Sequence, residues 1–277
     1  MGLRINTNTQ SLAAQRNLGQ TSAAQKQSLE RMSSGQRINH AADDAAGLAI
    51  SEKMRASVRS LAQDQRNASD GISMIQTAEG AMNEVGNILI RFRELSVQAA
   101  SDTIGETERG FIDKEVKQLH DEIDRISQAT EYNGQKLLSG EGSKYEIQVG
   151  LNNNPEQDRF YYDTGRTNVS TSGLGVDGIT VASREDAQNN LEKIDNAIKT
   201  LSENRSELGA LQNRLQSTVS NLQVYSENLQ GARSRINDVD MASETAEMTK
   251  NSILTQSGAS VLSQANQNAS IALKLIG

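Results

Sequence analysis

Apolar residues recur at three- and four-residue steps along most of this 277-residue chain, the spacing that lines one face of a helix. From Ile50 the series runs Met54, Val58, Leu61, Ala68, Ile72, Ile75, Met82, Val85, Leu89, Phe92 and Leu95, with seven-residue gaps across Gln65 and Glu79. It predicts a helix of roughly 50 residues, ~75 Å long at 1.5 Å per residue. Ile112, Val116, Leu119, Ile123 and Ile126 then step 4,3,4,3, a narrow seam that favours a left-handed coiled coil. A third series runs Leu191, Ile194, Ile198, Leu201, Leu208, Leu211, Leu215, Val219, Leu222, Tyr225, Leu229, Ala232, Ile236 and Val239. Arg205 falls inside that seam, either as a surface arginine snorkelling at the bundle edge or as a buried charge that sets specificity. Pro155 is the only proline, so nothing else interrupts long helices by that route.

Between the second and third series the period changes. Asn133-Gly134 signals a turn, and Tyr145, Ile147 and Val149 alternate with Glu146 and Gln148 as a half-buried strand does. Residues 152–155 read as a polar loop, 159–164 as a second strand and 178–181 as a short third. Ser183 with Asp186 three positions on resembles a capping box, which makes Ser183 the opening of the third long helix.

The apolar stripes continue into both ends. The first segment carries Leu3, Ile5, Leu12, Leu18, Leu29 and Met32 among Ser, Gln, Asn and Ala, with Arg4, Arg16, Lys26, Arg31 and Arg37 against Glu30. The last carries Met248, Ile253, Leu254, Val261, Leu262, Ile271, Leu273, Leu275 and Ile276. Isolated helices of this composition are marginal in water. Both ends are therefore expected to be loose alone and to order by packing on one another or on further subunits.

Composition narrows the class. Aromatics make up 3% and tryptophan is absent, which suits thin helical bundles and not a thick core. A net charge of -7 gives no basic field for nucleic acid. With no cysteine there is no disulfide, thiol nucleophile or Cys-ligated zinc. Residues 1–10 do not read as a Sec-type signal peptide, no stretch reads as a membrane span, and Gly2 lacks the Ser or Thr at position 6 that myristoylation favours. Enzymatic readings fail too. His40 and His120 have no second histidine at ligand spacing, so no metal, cofactor or catalytic site is expected, and both read as surface histidines. Gly173 to Gly178 fits a GxGxxG pattern, but a polar loop precedes it and a strand-like stretch follows, the reverse of a dinucleotide site. It reads as a flexible loop, with Ser170, Thr171 and Ser172 facing outward.

Residues 31–51 (RMSSGQRINHAADDAAGLAIS), 5–18 (INTNTQSLAAQRNL) and 65–84 (QRNASDGISMIQTAEGAMNE) strongly resemble the N-terminal signature of bacterial flagellins. Residues 260–277 (SVLSQANQNASIALKLIG) resemble the flagellin C-terminus, and 129–140 (ATEYNGQKLLSG) is flagellin-like as well. The resemblance implies a structural, non-enzymatic subunit that polymerises into the extracellular flagellar filament, exported unfolded through the flagellar type III apparatus. The implied fold is mainly α: a long antiparallel coiled-coil bundle with a small β-hairpin region in the middle, the termini paired as helices. Residues 1–43 and 240–277 would form the filament-core domain. Residues 44–239 would form the helical-bundle domain, with a β/loop insertion at about 140–182, a short form without large outer domains. A hook–filament junction protein of the same architecture and a chemoreceptor-like signalling hairpin are the alternatives.

The implied partners are other copies of the chain, an export chaperone, junction and cap proteins, other flagellins and the Toll-like receptor for flagellin, with no nucleic acid and no membrane. Asp43 and Asp44 match the family's paired acids; they cap the helix from Ala45 or pair with Arg31 or Arg37 across subunits. Leu262, Leu273, Leu275 and Ile276 resemble the stripe that serves assembly and is covered by the chaperone before export. Residues 90–100 (IRFRELSVQAA) resemble the receptor-recognised segment, which implies Arg91, Leu95 and Gln98 as contacts with Glu115 on the facing helix. The structural alternative makes Leu95 core and the polar residues subunit contacts. Where many flagellins carry a proline after the QANQ run, Asn268 and Ala269 stand here, which predicts a more continuous last helix.

Overall fold

The computed structural model describes residues 7–276, with side chains through Gln267. The elements are α1 (Thr9–Ser34), α2 (Ala45–Ala99), α3 (Glu106–Ala129), β1 (Glu131–Tyr132), β2 (Gln135–Lys136), β3 (Lys144–Gln148), β4 (Arg159–Asp163), α4 (Thr171–Leu174), α5 (Arg184–Asn237) and α6 (Met241–Ile276). The chain divides into two compact units, one of Met1–Val58 with Glu227–Gly277 and one of Arg59–Ser226.

In the second unit the three long apolar series meet. Ile75, Met82, Val85, Leu89, Phe92 and Leu95 of α2, Ile112, Val116 and Ile123 of α3, and Ile194, Leu201, Leu208 and Leu215 of α5 form one buried cluster. Arg91 lies 2.9 Å from Glu115, and the Arg109 guanidinium donates to the Ala99 carbonyl at 2.8 Å, so α3 runs antiparallel to α2. Arg93–Asp195 at 2.7 Å and Arg205–Glu79 at 3.9 Å set α5 antiparallel to α2 as well. Arg205 thus takes its surface reading, with 40% of its side chain in solvent. Glu106 and Glu108 in the first turn of α3 complement its dipole. Ser183 Oγ accepts the Asp186 N–H at 3.1 Å and opens α5, while Asp186 turns its carboxylate onto the Ser183 hydroxyl at 2.6 Å.

The middle region packs on this bundle. Asn133 and Gly134, with φ of 51° and 77°, make the left-handed turn that joins β1 to β2. β3 and β4 pair antiparallel with Tyr145 opposite Tyr162 and Ile147 opposite Phe160. The Tyr162 hydroxyl donates to the Leu137 carbonyl at 2.7 Å, and burial pushes its pKa up to about 12. Three expectations are corrected here. Residues 178–181 form no strand, because Asp113 on α3 accepts both the Thr180 hydroxyl at 2.8 Å and the Val181 N–H at 3.0 Å. The 173–178 stretch is not a free loop: Leu174 and Val176 are buried, as is Ile179 directly after it. Thr171 is buried too, donating its hydroxyl to Asp124 at 2.9 Å, so of the three residues expected outward only Ser172 is fully exposed.

In the first unit α1 and α6 lie antiparallel. Asn8 Nδ2 donates to the Ala265 carbonyl at 2.9 Å, and Arg31 lies 4.0 Å from Glu244 at the other end. Gly35, at φ 68°, ends α1, and the chain beyond it pairs with the chain after α5: Arg37 N–H donates to Asn237 O at 2.6 Å and Val239 N–H to Gly35 O at 3.1 Å. The backbone of α6 runs unbroken to Ile276, as the absence of a proline there predicts.

Candidate assembly interface

The seam between α1 and α6 is built from small and polar residues. On α6, Asn251, Thr255, Gly258, Leu262 and Ala265 follow a 4,3,4,3 register; on α1, Ser11, Ala14, Leu18, Thr21, Gln25 and Ser28 alternate by threes and fours. Ser28, Asn251 and Ala265 are buried and the others half-buried. Ser11 Oγ donates to Asn266 Oδ1 at 2.9 Å, and a Cβ placed on Gly258 would lie 3.3 Å from Leu18 Cδ1. Small residues bring the two backbones close, but they bury little apolar area.

Apart from Leu18 and Leu262, which lie half-buried in the seam, the large aliphatics Leu12, Leu29, Ile253, Leu254 and Val261 of the same two helices point elsewhere. Leu12 and Leu29 are 58% and 60% exposed, Leu254 and Val261 46% and 58%, and Ile253 59%. Leu12 and Leu29 each follow a seam residue by one position, whereas Leu254 and Val261 each precede one. One position along a right-handed helix is a rotation of about 100°. For antiparallel partners these two offsets place the α1 pair on one edge of the helix pair and the α6 pair on the opposite edge. A chain alone leaves both edges in water, at a cost of about 1.5–3 kcal/mol per large aliphatic relative to burial.

Of the acidic and basic candidates, Asp43, Asp44 and Arg37 find hydrogen-bond partners within the chain, while the buried Arg31 Nε has none among the described residues. Asp44 Oδ1 accepts the Gly47 N–H at 2.8 Å and so caps α2, an arrangement worth about 1 kcal/mol. Gly47 leaves room for this cap, since a Cβ there would press on the Asp44 carboxylate, come within 2.8 Å of Ile38 Cδ1 and force one of them to shift. Asp43 accepts the backbone N–H groups of His40 at 3.0 Å and Asn39 at 3.1 Å, and Gln27 Nε2 at 3.0 Å. These bonds, His40 first, hold the Asp43 carboxyl below the usual carboxylate range. Arg37 donates to the Ile236 carbonyl at 2.8 Å and lies 3.6 Å from Asp44, while Arg31 faces Glu244 and not Asp43. Leu262 sits half-buried in the seam. The side chains of Leu273, Leu275 and Ile276 lie outside the described residues.

On the second unit Arg91 is held between Glu115 at 2.9 Å and Glu94 at 3.0 Å, which raises its pKa above the ordinary arginine value, and Gln98 is exposed. Leu95 is 1% exposed and belongs to the core, so it supports its exposed neighbours and offers no surface to a partner. His120 is also less exposed than expected: 21% of its side chain meets solvent, with Nε2 3.6 Å from Asp177. Among the described residues no three His, Cys, Asp or Glu are placed to hold a metal, and no helix is long and apolar enough to cross a membrane.

A helical chain whose terminal pair leaves aliphatic edges on two opposite sides is a structural subunit built to assemble. Comparison with known proteins gives the family. The bacterial flagellin N-terminal helical region matches residues 5–143 and the C-terminal helical region matches residues 191–276. A flagellin of Halalkalibacterium halodurans is 45% identical over 98% of this chain and 99% of its own length. A flagellin of Bacillus subtilis is 40% identical over 99% of this chain and all of its own. The crystal structure of Bacillus cereus flagellin superposes with a TM-score of 0.51 at 31% identity, covering 57% of this chain and 88% of that one. The chain belongs to the bacterial flagellin family and is a structural subunit of the flagellar filament. Identity at this level along the whole chain leaves the junction-protein and signalling-hairpin alternatives unfavoured.

Proposed function

We propose that copies of this chain polymerise into a helical filament by joining the Leu12/Leu29 edge of one α1–α6 pair to the Leu254/Val261 edge of the next. The exposure of these aliphatics beside a seam of serine, asparagine, glycine and alanine carries the reading. Two different edges on opposite sides make a head-to-tail contact that does not close on itself, the condition for an open helical polymer. In this reading residues 1–43 and 240–277 form the filament-core domain and 44–239 the bundle domain. Arg31, Arg37, Asp43 and Asp44 hold the turn from α1 into α2 in the shape the lattice needs, and Leu262, Leu273, Leu275 and Ile276 extend the packed terminus.

The filament is placed outside the cell, reached through the flagellar export apparatus with an export chaperone on the apolar C-terminal stripe. Junction and cap proteins bound its two ends, and other flagellins share its lattice. The role is structural and without catalysis. Arg91 and Gln98, exposed on α2 beside Glu115, are the proposed contacts for the Toll-like receptor for flagellin. The test of assembly is direct: purified full-length chain, raised in salt concentration and imaged in negative stain, is expected to give long filaments. Persistent monomers under every salt condition would contradict the reading.

A further inference from the structure

A groove of about 530 Å³ lies between β4 and α5 in the second unit. Tyr162, Leu208 and Leu211, buried or half-buried, give it an apolar lining, and the exposed Tyr161 borders it. One wall is an open strand edge. Val149 N–H donates to the Asp158 carbonyl and Thr164 N–H to the Ser143 carbonyl, so in the β3–β4 register the hydrogen-bonded pairs are Ile147 with Phe160 and Tyr145 with Tyr162. Tyr161, between those pairs, turns its N–H and carbonyl away from β3, and neither has a hydrogen-bond partner among the described residues. An unpaired edge of this kind is a template for one further strand.

The charges on the groove are incompletely answered. Three basic side chains, Lys144, Arg166 and Arg214, meet two acids, Asp163 and Glu207, on a chain whose net charge is -7. Asp163 is already engaged, accepting the Gly165 N–H at 3.0 Å and lying 3.8 Å from Lys144. The Arg166 guanidinium has neither a hydrogen bond nor an ion pair among the described residues. That of Arg214 lies over the Phe160 ring at 4.7 Å, and Glu207 pairs with neither arginine. Two guanidiniums without an anion, beside unpaired main-chain groups, suit a ligand that brings both carboxylates and an extended backbone.

We propose that this groove binds an extended acidic peptide of a partner protein, added along β4 as a third strand. The peptide main chain pairs with Tyr161, its apolar side chains cover Leu208 and Leu211, and its carboxylates meet Arg166 and Arg214. Side chains alternate between the two faces of a strand, so the fitting sequence alternates acidic and β-branched residues. The inference stands apart from the assembly edges, and its test needs no filament.

The experiment titrates a short synthetic peptide of alternating valine and glutamate into the full-length monomer at low salt, followed by isothermal titration calorimetry. Saturable one-to-one binding is expected. Two companion peptides divide the contributions. One carries lysine in place of glutamate and should not bind; the other is N-methylated throughout, keeps every charge and should bind at least ~tenfold more weakly for want of main-chain hydrogen bonds. Arg166→Glu sets a repulsive charge in place of an attractive one and should weaken the parent peptide by about tenfold. That variant should melt as wild type does, because the side chain is exposed and unpartnered. Equal binding of the methylated peptide would make the groove an anion site without strand addition, and equal binding of the lysine peptide would remove the role of the arginines. Wild-type affinity in Arg166→Glu would place the peptide elsewhere, and each of these results overturns the proposal. A monomer with no saturable binding overturns it too; if that monomer self-associates at low salt in a manner lost in Arg166→Glu, the occupant is a second copy.

Discussion

A chain that starts at Ser33, or one that stops at Leu254, is expected to stay monomeric under conditions where the full chain polymerises. The reason lies in the α1–α6 pair. Each helix holds the other through a seam of small residues, and helices of this composition are marginal without a partner. Removing α1 leaves α6 without its seam and takes the Leu12/Leu29 edge with it; ending at Leu254 removes Val261 and most of the seam register. The second unit keeps its own core of α2, α3 and α5 and stays folded. Circular dichroism should therefore lose the signal of the 26 residues of α1 and the 36 of α6 while the remaining transition persists. Sedimentation should show monomer, and electron microscopy no filaments. Filaments from either truncated chain would sink the account.

The second large effect needs only two side chains. Leu254→Gln with Val261→Gln changes exposed residues, so the monomer should melt within about 0.5 kcal/mol of wild type. Under the proposed edge-to-edge contact the same positions become buried against a neighbour, and losing about 1.5 kcal/mol or more at each removes about 3 kcal/mol per junction. Every 1.4 kcal/mol is about tenfold in an association constant, so the critical concentration for polymerisation should rise by at least ~100-fold. Leu12→Gln with Leu29→Gln should act alike from the opposite edge. Light scattering across a dilution series reads this directly. A critical concentration equal to that of wild type, with the monomer equally stable, would show that other surfaces hold the copies together.

These expectations could be read only in part from the sequence. The three long helices and the β3–β4 hairpin were legible because large aliphatics mark a 3.6- or two-residue period, and these helices bury them against one another. The terminal pairing was harder to read. The stripes suggested that the ends pack on one another or on further subunits; Leu18 and Leu262 do join the seam beside Ser28, Asn251 and Ala265, whereas Leu12, Leu29, Leu254 and Val261 are left outside it. Small polar seam residues carry no hydropathy signal; the 4,3,4,3 spacing of Asn251, Thr255, Gly258, Leu262 and Ala265 was the cue that could have found them. The 178–181 stretch failed as a strand because its partner is a side chain, Asp113, 65 or more positions earlier, which no local pattern reveals.

The candidate residues divide in the same way. Asp44 caps the helix that starts beside it, a local arrangement that short-range grammar describes. Within the chain Arg31 lies by Glu244, and Arg37 reaches the Ile236 carbonyl, far along the chain, together with Asp44, partners that no local pattern reveals. Leu95 was named as a surface contact and as core, and its burial settles it as core. Arg166 and Arg214 went unremarked because they stand far apart in the sequence, and only the packing of β4 beside α5 sets them on one groove.

The account's central claim is that the α6 edge passes from water into protein when copies join. Because the chain has no cysteine, Val261→Cys gives a single thiol at a position that is 58% exposed in the lone chain. The measurement is its rate of alkylation before and after polymerisation. The account predicts rapid labelling in the monomer and a rate at least ~tenfold slower in the filament, as burial removes reagent access. An equal rate in filament and monomer would contradict it.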